Sequence, residues 1–467
     1  MRYRSRQAAV GFLLSALAVV VTPALLFAHA RLLRSTPAAN ANLSAPPTSL
    51  SLWFSERPEI KFTSLQLLDS AGAPLALGDV ARIEGDANAL TAKIPSVLLA
   101  GRYTVVWKTA AEDGHASNGK FSFVVAASAV VPSTSAAPPV TNAPAAALPT
   151  PGATVTVVTH GNDLVQPTQR TTYSTAMRWA ELVGLLSLIG CVMYRLLVLE
   201  RAGWSEAQVA DSADRVRRLA GATLVLFTIA TLSRIVAQSD LVPNASVARV
   251  DAILTTARDT RWGHGWIIGA VAALVAFVTL HFSKKGLSGW AATAVAVVAM
   301  CLSESLTGHA GAIPNRAALG VAADVAHVLG AGGWVGGLLA VVLCGMASLH
   351  KLSDADRPKE GAKLVRSYHK AALECVVIVL LSAVIAVPLR LHAVSDLWLS
   401  DYGRVLLTKF AVVVIAMGFG FYHWKTAVTP DWSRETSGSF RRSAAGELVV
   451  SAIIVAATAL LVGTPMP

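Results

Sequence analysis

From Met177 onward the chain carries eight apolar segments, near residues 177–199, 219–238, 263–282, 288–307, 319–348, 367–391, 404–425 and 444–463. Each is long enough to cross a bilayer, where a backbone must satisfy its own polar groups, so this part of the chain is predicted to fold as an all-α bundle of eight transmembrane helices. Hydrophobic residues make up 54% and charged residues 14%, which leaves room for a soluble part besides the bundle. The net charge of +11 raises the question of nucleic acid. Its distribution answers it: alternate loops hold Arg201, Arg215, Arg217, Arg218, Lys284, Lys285, Lys351 and the basic residues from Arg357 to Lys370 and from Lys425 to Arg442, whereas the others hold Arg249, Arg258, Arg261 and Arg316. That asymmetry marks the first set as cytoplasmic and accounts for the charge with lipid, not nucleic acid, as the partner.

Ionisable residues inside such helices are costly and point to a bundle interior or a function. Asp324 and His327 stand at i, i+3 and share a helix face. His309 precedes them across a turn from Gly311 to Asn315, and Glu304 lies just before it. His309, Asp324 and His327 are therefore expected to meet at the outer end of the bundle, either as a structural hydrogen-bond network or as part of a path for a ligand. Glu181, Glu374, Glu447 and Arg234 are further candidates for buried charge. Met300 and Cys301 precede Glu304, with core packing and soft-metal ligation as competing readings. The four cysteines, Cys191, Cys301, Cys344 and Cys375, lie in apolar segments without paired spacing, so neither a disulfide framework nor a zinc site is indicated.

Ahead of the bundle, Arg2, Arg4 and Arg6 precede an apolar run from Ala8 to about Phe27, the pattern of a secretory signal over residues 1–28. Cleavage after Ala28 makes His29 the new N-terminus. Cleavage after Ala30 removes it, and an uncleaved anchor is the third alternative. Residues 29–125 change to short alternating runs, Leu50 to Phe54, Phe62 to Leu68, Leu90 to Ile94, Tyr103 to Trp107 and Phe121 to Val124, separated by Gly, Pro, Asn and Asp. This predicts an all-β Greek-key sandwich or barrel. Residues 126–174, rich in Ala, Pro, Thr and Ser, read as a linker with an r.m.s. span of about 40 Å, and residues 175–467 form the helical domain.

Within the β region Asp113-Gly114-His115 is a weak signal by itself, compatible with a turn cap and an exposed histidine. Combined with a freed N-terminal His29 it becomes a ligand set: an α-amine, two imidazoles and a carboxylate. A tetragonal nitrogen and oxygen set suits Cu(II), while tetrahedral zinc remains chemically open. No methionine occurs from His29 to Val125, so a thioether site is not available there.

Ala28-His29-Ala30-Arg31-Leu32 with Ser35-Thr36-Pro37-Ala38, Leu52-Trp53-Phe54-Ser55-Glu56, Gly101-Arg102-Tyr103-Thr104-Val105-Val106-Trp107, and Asp113-Gly114-His115 with Gly119-Lys120-Phe121-Ser122-Phe123 resemble the CopC family of periplasmic copper-binding β-barrels. The bundle is similar to the CopD inner-membrane copper-resistance family through Gly308-His309-Ala310, Asp324 with His327, Trp334 with Gly336-Gly337, and Tyr402-Gly403 with Lys409. Together these suggest a CopC–CopD fusion. The resemblance implies processing after Ala28, Cu(II) on His29, Asp113 and His115, and copper movement across the bacterial inner membrane. The leading expectation from these residues is that the exported β domain, on the periplasmic side, delivers copper to the His309, Asp324 and His327 region for passage through the bundle. A protein of this kind is expected to bind and move copper, not to be an enzyme. No ATPase motif is present, and an electron donor or a periplasmic copper carrier is a partner that the sequence does not identify. Two alternatives stand beside this reading: a haem- or copper-containing membrane redox protein, and a membrane-anchored copper scavenger that transports nothing.

Overall fold

The computed structural model describes residues 32–111, 114, 116–127, 172–243, 247–308, 310, 316–391, 393–428 and 434–461. The signal segment, His29, Asp113, His115, the linker as far as residue 171 and His309 lie outside the described residues.

The β unit is a sandwich of two sheets. Strands β1 (Leu32–Thr36), β3 (Ser49–Phe54), β7 (Asp86–Lys93) and β6 (Ala81–Ile83) form one sheet in the order β1-β3-β7-β6. The other runs β2 (Asn42–Leu43), β9 (Ala116–Val125), β8 (Gly101–Ala110), β4 (Ser64–Leu68) and β5 (Pro74–Leu75). Strand alternation decides the core. Leu50, Leu52 and Phe54 of β3 and Leu90 of β7 face Val105 and Trp107 of β8 and Phe121 and Phe123 of β9, all buried. Phe54 meets Trp107 edge-on at 5.2 Å between centroids, and Tyr103 stacks on Phe123 at 5.6 Å. Such aromatic pairs supply much of the cohesion of a core that contains no disulfide.

The sequence run from Phe62 is shorter as a strand than its composition predicts. Phe62 ends a 3-10 turn, Ile60–Phe62, because the Glu59 carbonyl accepts from both the Phe62 amide and the Thr63 hydroxyl; β4 begins only at Ser64. The paired strands also fix which end of the sandwich is which. Leu32 pairs with Phe54 at the end of β3, the chain crosses through residues 55–63 to the other sheet, and Ser64 pairs with Lys108 near the end of β8. Thr63 and Thr109 share a buried 2.7 Å hydrogen bond at this same end. The entry into β1 and the turn between β8 and β9 therefore belong to one end of the domain.

The helical unit contains α1 (Thr175–Ala202), α2 (Glu206–Ser239), α3 (Arg261–Phe282), α4 (Leu287–Leu306), α5 (Ala317–Lys351), α6 (Asp356–Arg390), α7 (Asp401–Tyr422) and α8 (Gly438–Leu461), all eight long and apolar enough to span. Two of them start well before their apolar stretches. Ser205 and Gln208 form a reciprocal capping box that begins α2 at Glu206, so Arg215, Arg217 and Arg218 lie on a helical extension, not in a loop. Lys359, Lys363, Arg366 and Lys370 likewise ride on α6. At this end Asp211 accepts from Arg215 at 2.9 Å and from Lys351 of α5 at 2.5 Å.

Glycines set the closest approach inside the bundle. A Cβ on Gly190 of α1 would strike the backbone of Gly336 in α5, and one on Gly336 would strike the Leu186 carbonyl. Where small residues let backbones touch, dispersion contacts replace a hydrophobic driving force that lipid cannot supply. Around this crossing both helices loosen into π turns, Tyr194–Val198 in α1 and Gly332–Gly336 and Val341–Gly345 in α5. Beside it Tyr368 of α6 donates to the Trp334 carbonyl at 2.8 Å, and the Trp334 indole donates to Glu447 of α8 at 2.9 Å. Glu447 is thereby explained as an acceptor that ties α8 to α5. Glu374, expected to be buried, instead lies on the outward face of α6, where it pairs with Arg201 at 3.1 Å.

Candidate functional site: two charged clusters at one end of the bundle

Two groups of ionisable side chains in the spans gather at the end where α1 begins. Arg178 and Glu181 are an i, i+3 pair on α1, and Thr231 and Arg234 an i, i+3 pair on α2; both pairs project toward Glu304 near the end of α4. Arg178 lies 2.6 Å from Glu304 and 3.4 Å from Glu181. Arg234 contacts Glu181 directly and Glu304 at 3.5 Å, while Thr231 donates to Glu181 at 2.8 Å. The two carboxylates retain only 1% and 4% exposure. From α3, Trp262 places its ring 5.4 Å from the Arg234 guanidinium, and the Trp266 indole donates to the Thr231 carbonyl at 2.8 Å. Gly265 and Gly269 admit Thr307 and Ser303 of α4 against α3 and so bring Glu304 into reach. Two guanidinium groups and two carboxylates balance, which is the condition for keeping four charges out of water.

The second cluster adjoins it through Ser305, which lies against Asp324. The structure brings Asp324 and His327 together on one face of α5, as their spacing predicts, and adds groups from α6 and α7. Arg390 donates to Asp324 at 2.9 Å and to the Tyr402 hydroxyl oxygen, and Lys409 is within electrostatic reach of His327, Asp324 and Arg390. Gly403 makes room for Tyr402: a Cβ there would strike the Asp396 carbonyl and Leu397.

His327 Nδ1 is 3.1 Å from the Ser382 hydroxyl, which is also 2.9 Å from the Val379 carbonyl. With Ser382 donating to Nδ1 the ring proton sits on Nε2; with Ser382 donating to Val379, Nδ1 carries the proton and Nε2 keeps its lone pair. The second is the tautomer of a metal-ligating histidine whose other ring nitrogen is held by a hydrogen-bond partner.

Of the six site residues predicted from sequence, Asp324 and His327 are seen and adjoin; His29, Asp113, His115 and His309 fall outside the described residues. Between Asp113 and His115, Gly114 holds a left-handed φ of +88° and its amide donates to the Ala111 carbonyl at 2.8 Å, the backbone a tight turn at this point demands. Among the described residues no group of three His, Cys, Asp or Glu is arranged around a metal. Arg178 escaped sequence reasoning because it sits at the edge of the first apolar segment and looks like a flanking charge. Arg390 escaped because its partner is remote in sequence.

A CopC domain matches residues 32–126, a Copper resistance protein D-like N-terminal domain residues 170–321, and the Copper resistance protein D domain residues 362–461. "Copper transport protein CutJ" of Bacillus subtilis is 24% identical over 416 residues, 87% of this chain and 69% of that protein. The chain is a CopC–CopD family member. Within the CopC part, "Copper resistance protein C" of Pseudomonas syringae pv. tomato is 32% identical over 122 residues, covering 25% of this chain and 90% of the relative. "Protein YobA" of Escherichia coli is 34% identical over 106 residues, 23% of this chain and 85% of its own length. Among solved structures, CopC from Methylosinus trichosporium OB3b is 28% identical over 21% of this chain and 94% of its own, with a TM-score of 0.20. This CopC–CopD chain accordingly belongs to a copper resistance and transport family and is a multi-pass membrane protein.

Proposed function

We propose that the CopC domain captures Cu(II) outside the inner membrane through His29, Asp113 and His115, and that the bundle carries copper inward by way of His309, Asp324 and His327. The observation that carries this reading is the collection of ionisable side chains, with a metal-competent histidine among them, at the end of the bundle where the linker from the CopC domain enters. Tethering makes the encounter intramolecular, at an effective concentration that approaches mM for short flexible linkers. The strand topology supports the first step, since the entry into β1 and the β8–β9 turn share one end of the sandwich.

Replacing His327 with alanine, or Asp324 with asparagine, is expected to abolish radiocopper accumulation in cells while the protein remains in the membrane. Accumulation that responds to His115→Ala but not to His327→Ala defeats transport and leaves a tethered scavenger.

Processing gives an independent check. The mature protein is expected to begin at His29 and to show nitrogen hyperfine coupling in its Cu(II) EPR spectrum, lost in His115→Ala. A mature N-terminus at Arg31 removes both the amine and the imidazole of the proposed chelate.

A further inference from the structure

Between α1, α4, α5 and α6 lies a cavity of about 280 Å³ whose lining includes Met193, Cys375, Gly333, Ile189, Val297 and Leu329. Met193 and Cys375 are the lining side chains with donor atoms; the rest are aliphatic or glycine. Their proximity is fixed by the glycine face of α5. A Cβ on Gly333 would collide with Cys375 Sγ and sit 3.9 Å from Met193 Cγ, and one on Gly337 would collide with the Met193 methyl. Absent side chains at 333 and 337 thus give space to a thiol from α6 at Gly333 and to the thioether arm of α1 running from Gly333 to Gly337, and both residues line the same cavity. That cavity borders the π turn Gly332–Gly336, the kind of helix irregularity that recurs at functional sites.

We infer that Met193 and Cys375 form a site for monovalent copper within the bundle. The chemistry of the donors selects the ion. With no oxygen or nitrogen side chain in the lining, the cavity offers nothing to a hard divalent cation, whereas thiolate and thioether are the preferred ligands of Cu(I). Charge points the same way. As Cu⁺ binds, the Cys375 thiol gives its proton to the surrounding water, a Cu–S bond replaces the S–H bond, and Met193 Sδ contributes a lone pair; one proton leaves for each Cu⁺ that enters and the resulting complex is neutral. A neutral complex suits an apolar site, where a net charge is expensive. No electron is exchanged at this site: copper captured as Cu(II) is reduced before it enters the bundle by an external thiol reductant, two Cu(II) oxidising two thiols to one disulfide with release of two protons.

The inference rests on the transport reading, and the experiment separates the two. Full-length protein, purified anaerobically in detergent, is titrated with Cu(I) in competition with a chromophoric Cu(I) chelator, and its copper K-edge absorption is recorded. The expected result is one tightly held Cu(I) with sulfur scattering. The CopC region from His29 to Val125 contains neither Met nor Cys, so sulfur ligands must come from elsewhere in the chain. Met193→Leu and Cys375→Ala should each lose that equivalent, with thermal unfolding unchanged and Cys301→Ala retaining it. Sulfur-bound Cu(I) that survives in the Met193→Leu/Cys375→Ala double variant overturns the site, as does equal loss in Cys301→Ala. Should either single variant fail to fold, the other decides. Loss of the equivalent with unaltered cellular copper accumulation keeps the site but takes it off the path, and accumulation that is unaltered in His327→Ala as well removes the transport reading. Accumulation that needs His327, with Cu(I) binding intact in the double variant, keeps the transport reading and removes the site.

Discussion

Glu304→Ala is expected to destabilise the helical domain by about 3–5 kcal/mol, read as a fall in thermal unfolding temperature in detergent or nanodiscs. The substitution takes away Arg178's 2.6 Å partner and leaves Arg178 and Arg234, two guanidinium groups, sharing the single carboxylate of Glu181. The penalty is that of an uncompensated buried charge, not the net worth of the ion pair. The corollary is sharper than the single variant: Arg178→Met combined with Glu304→Leu removes one charge of each sign, and that double replacement should cost far less than the two single losses together. A double-mutant cycle reads the coupling directly. A Glu304→Ala protein as stable as its parent would mean that water or lipid headgroups reach the guanidinium groups and that the cluster is not a closed network.

The second large effect is expected at the α1–α5 crossing. Gly336→Ala should cost about 3 kcal/mol, at the upper end for overpacking, because the added methyl meets the Leu186 carbonyl and backbone cannot step aside as a side chain does. The helices would separate and strain the Tyr368–Trp334–Glu447 hydrogen bonds beside the crossing. Gly418→Ala is the control: a Cβ there meets nothing within 4 Å, and alanine is the better helix former, so stability should hold or rise slightly. Equal behaviour of the two variants would refute the close crossing.

Much of this architecture is legible in the sequence because period and length are local properties. The eight apolar runs mark their helices to within a few residues where polar caps are weak, and miss by more where a capping box such as Ser205 with Gln208 extends the helix into charged sequence. The long β3, β8 and β9 strands announce themselves by alternation, whereas β2 and β5 have two residues each and no period to detect. Asp324 and His327 could be paired from spacing because i and i+3 share a face on any helix. The identities of their neighbours could not, since Arg390, Tyr402 and Lys409 come from α6 and α7 and only tertiary packing delivers them. Glu181, Glu304 and Arg234 were recognisable one by one as unusual, yet nothing in their sequence separation says that they neutralise one another.

Arg390 has a bearing on how an ion is received. Asp324 already holds a guanidinium, with Lys409 close by, so this carboxylate is not an anionic trap waiting for any cation. A metal ion that seats on Asp324 does so by trading places with a positive group the protein itself supplies. On the proposed copper path, loading and the withdrawal of Arg390 would be a single exchange, with the arginine returning as a built-in placeholder that spares the membrane interior a naked carboxylate.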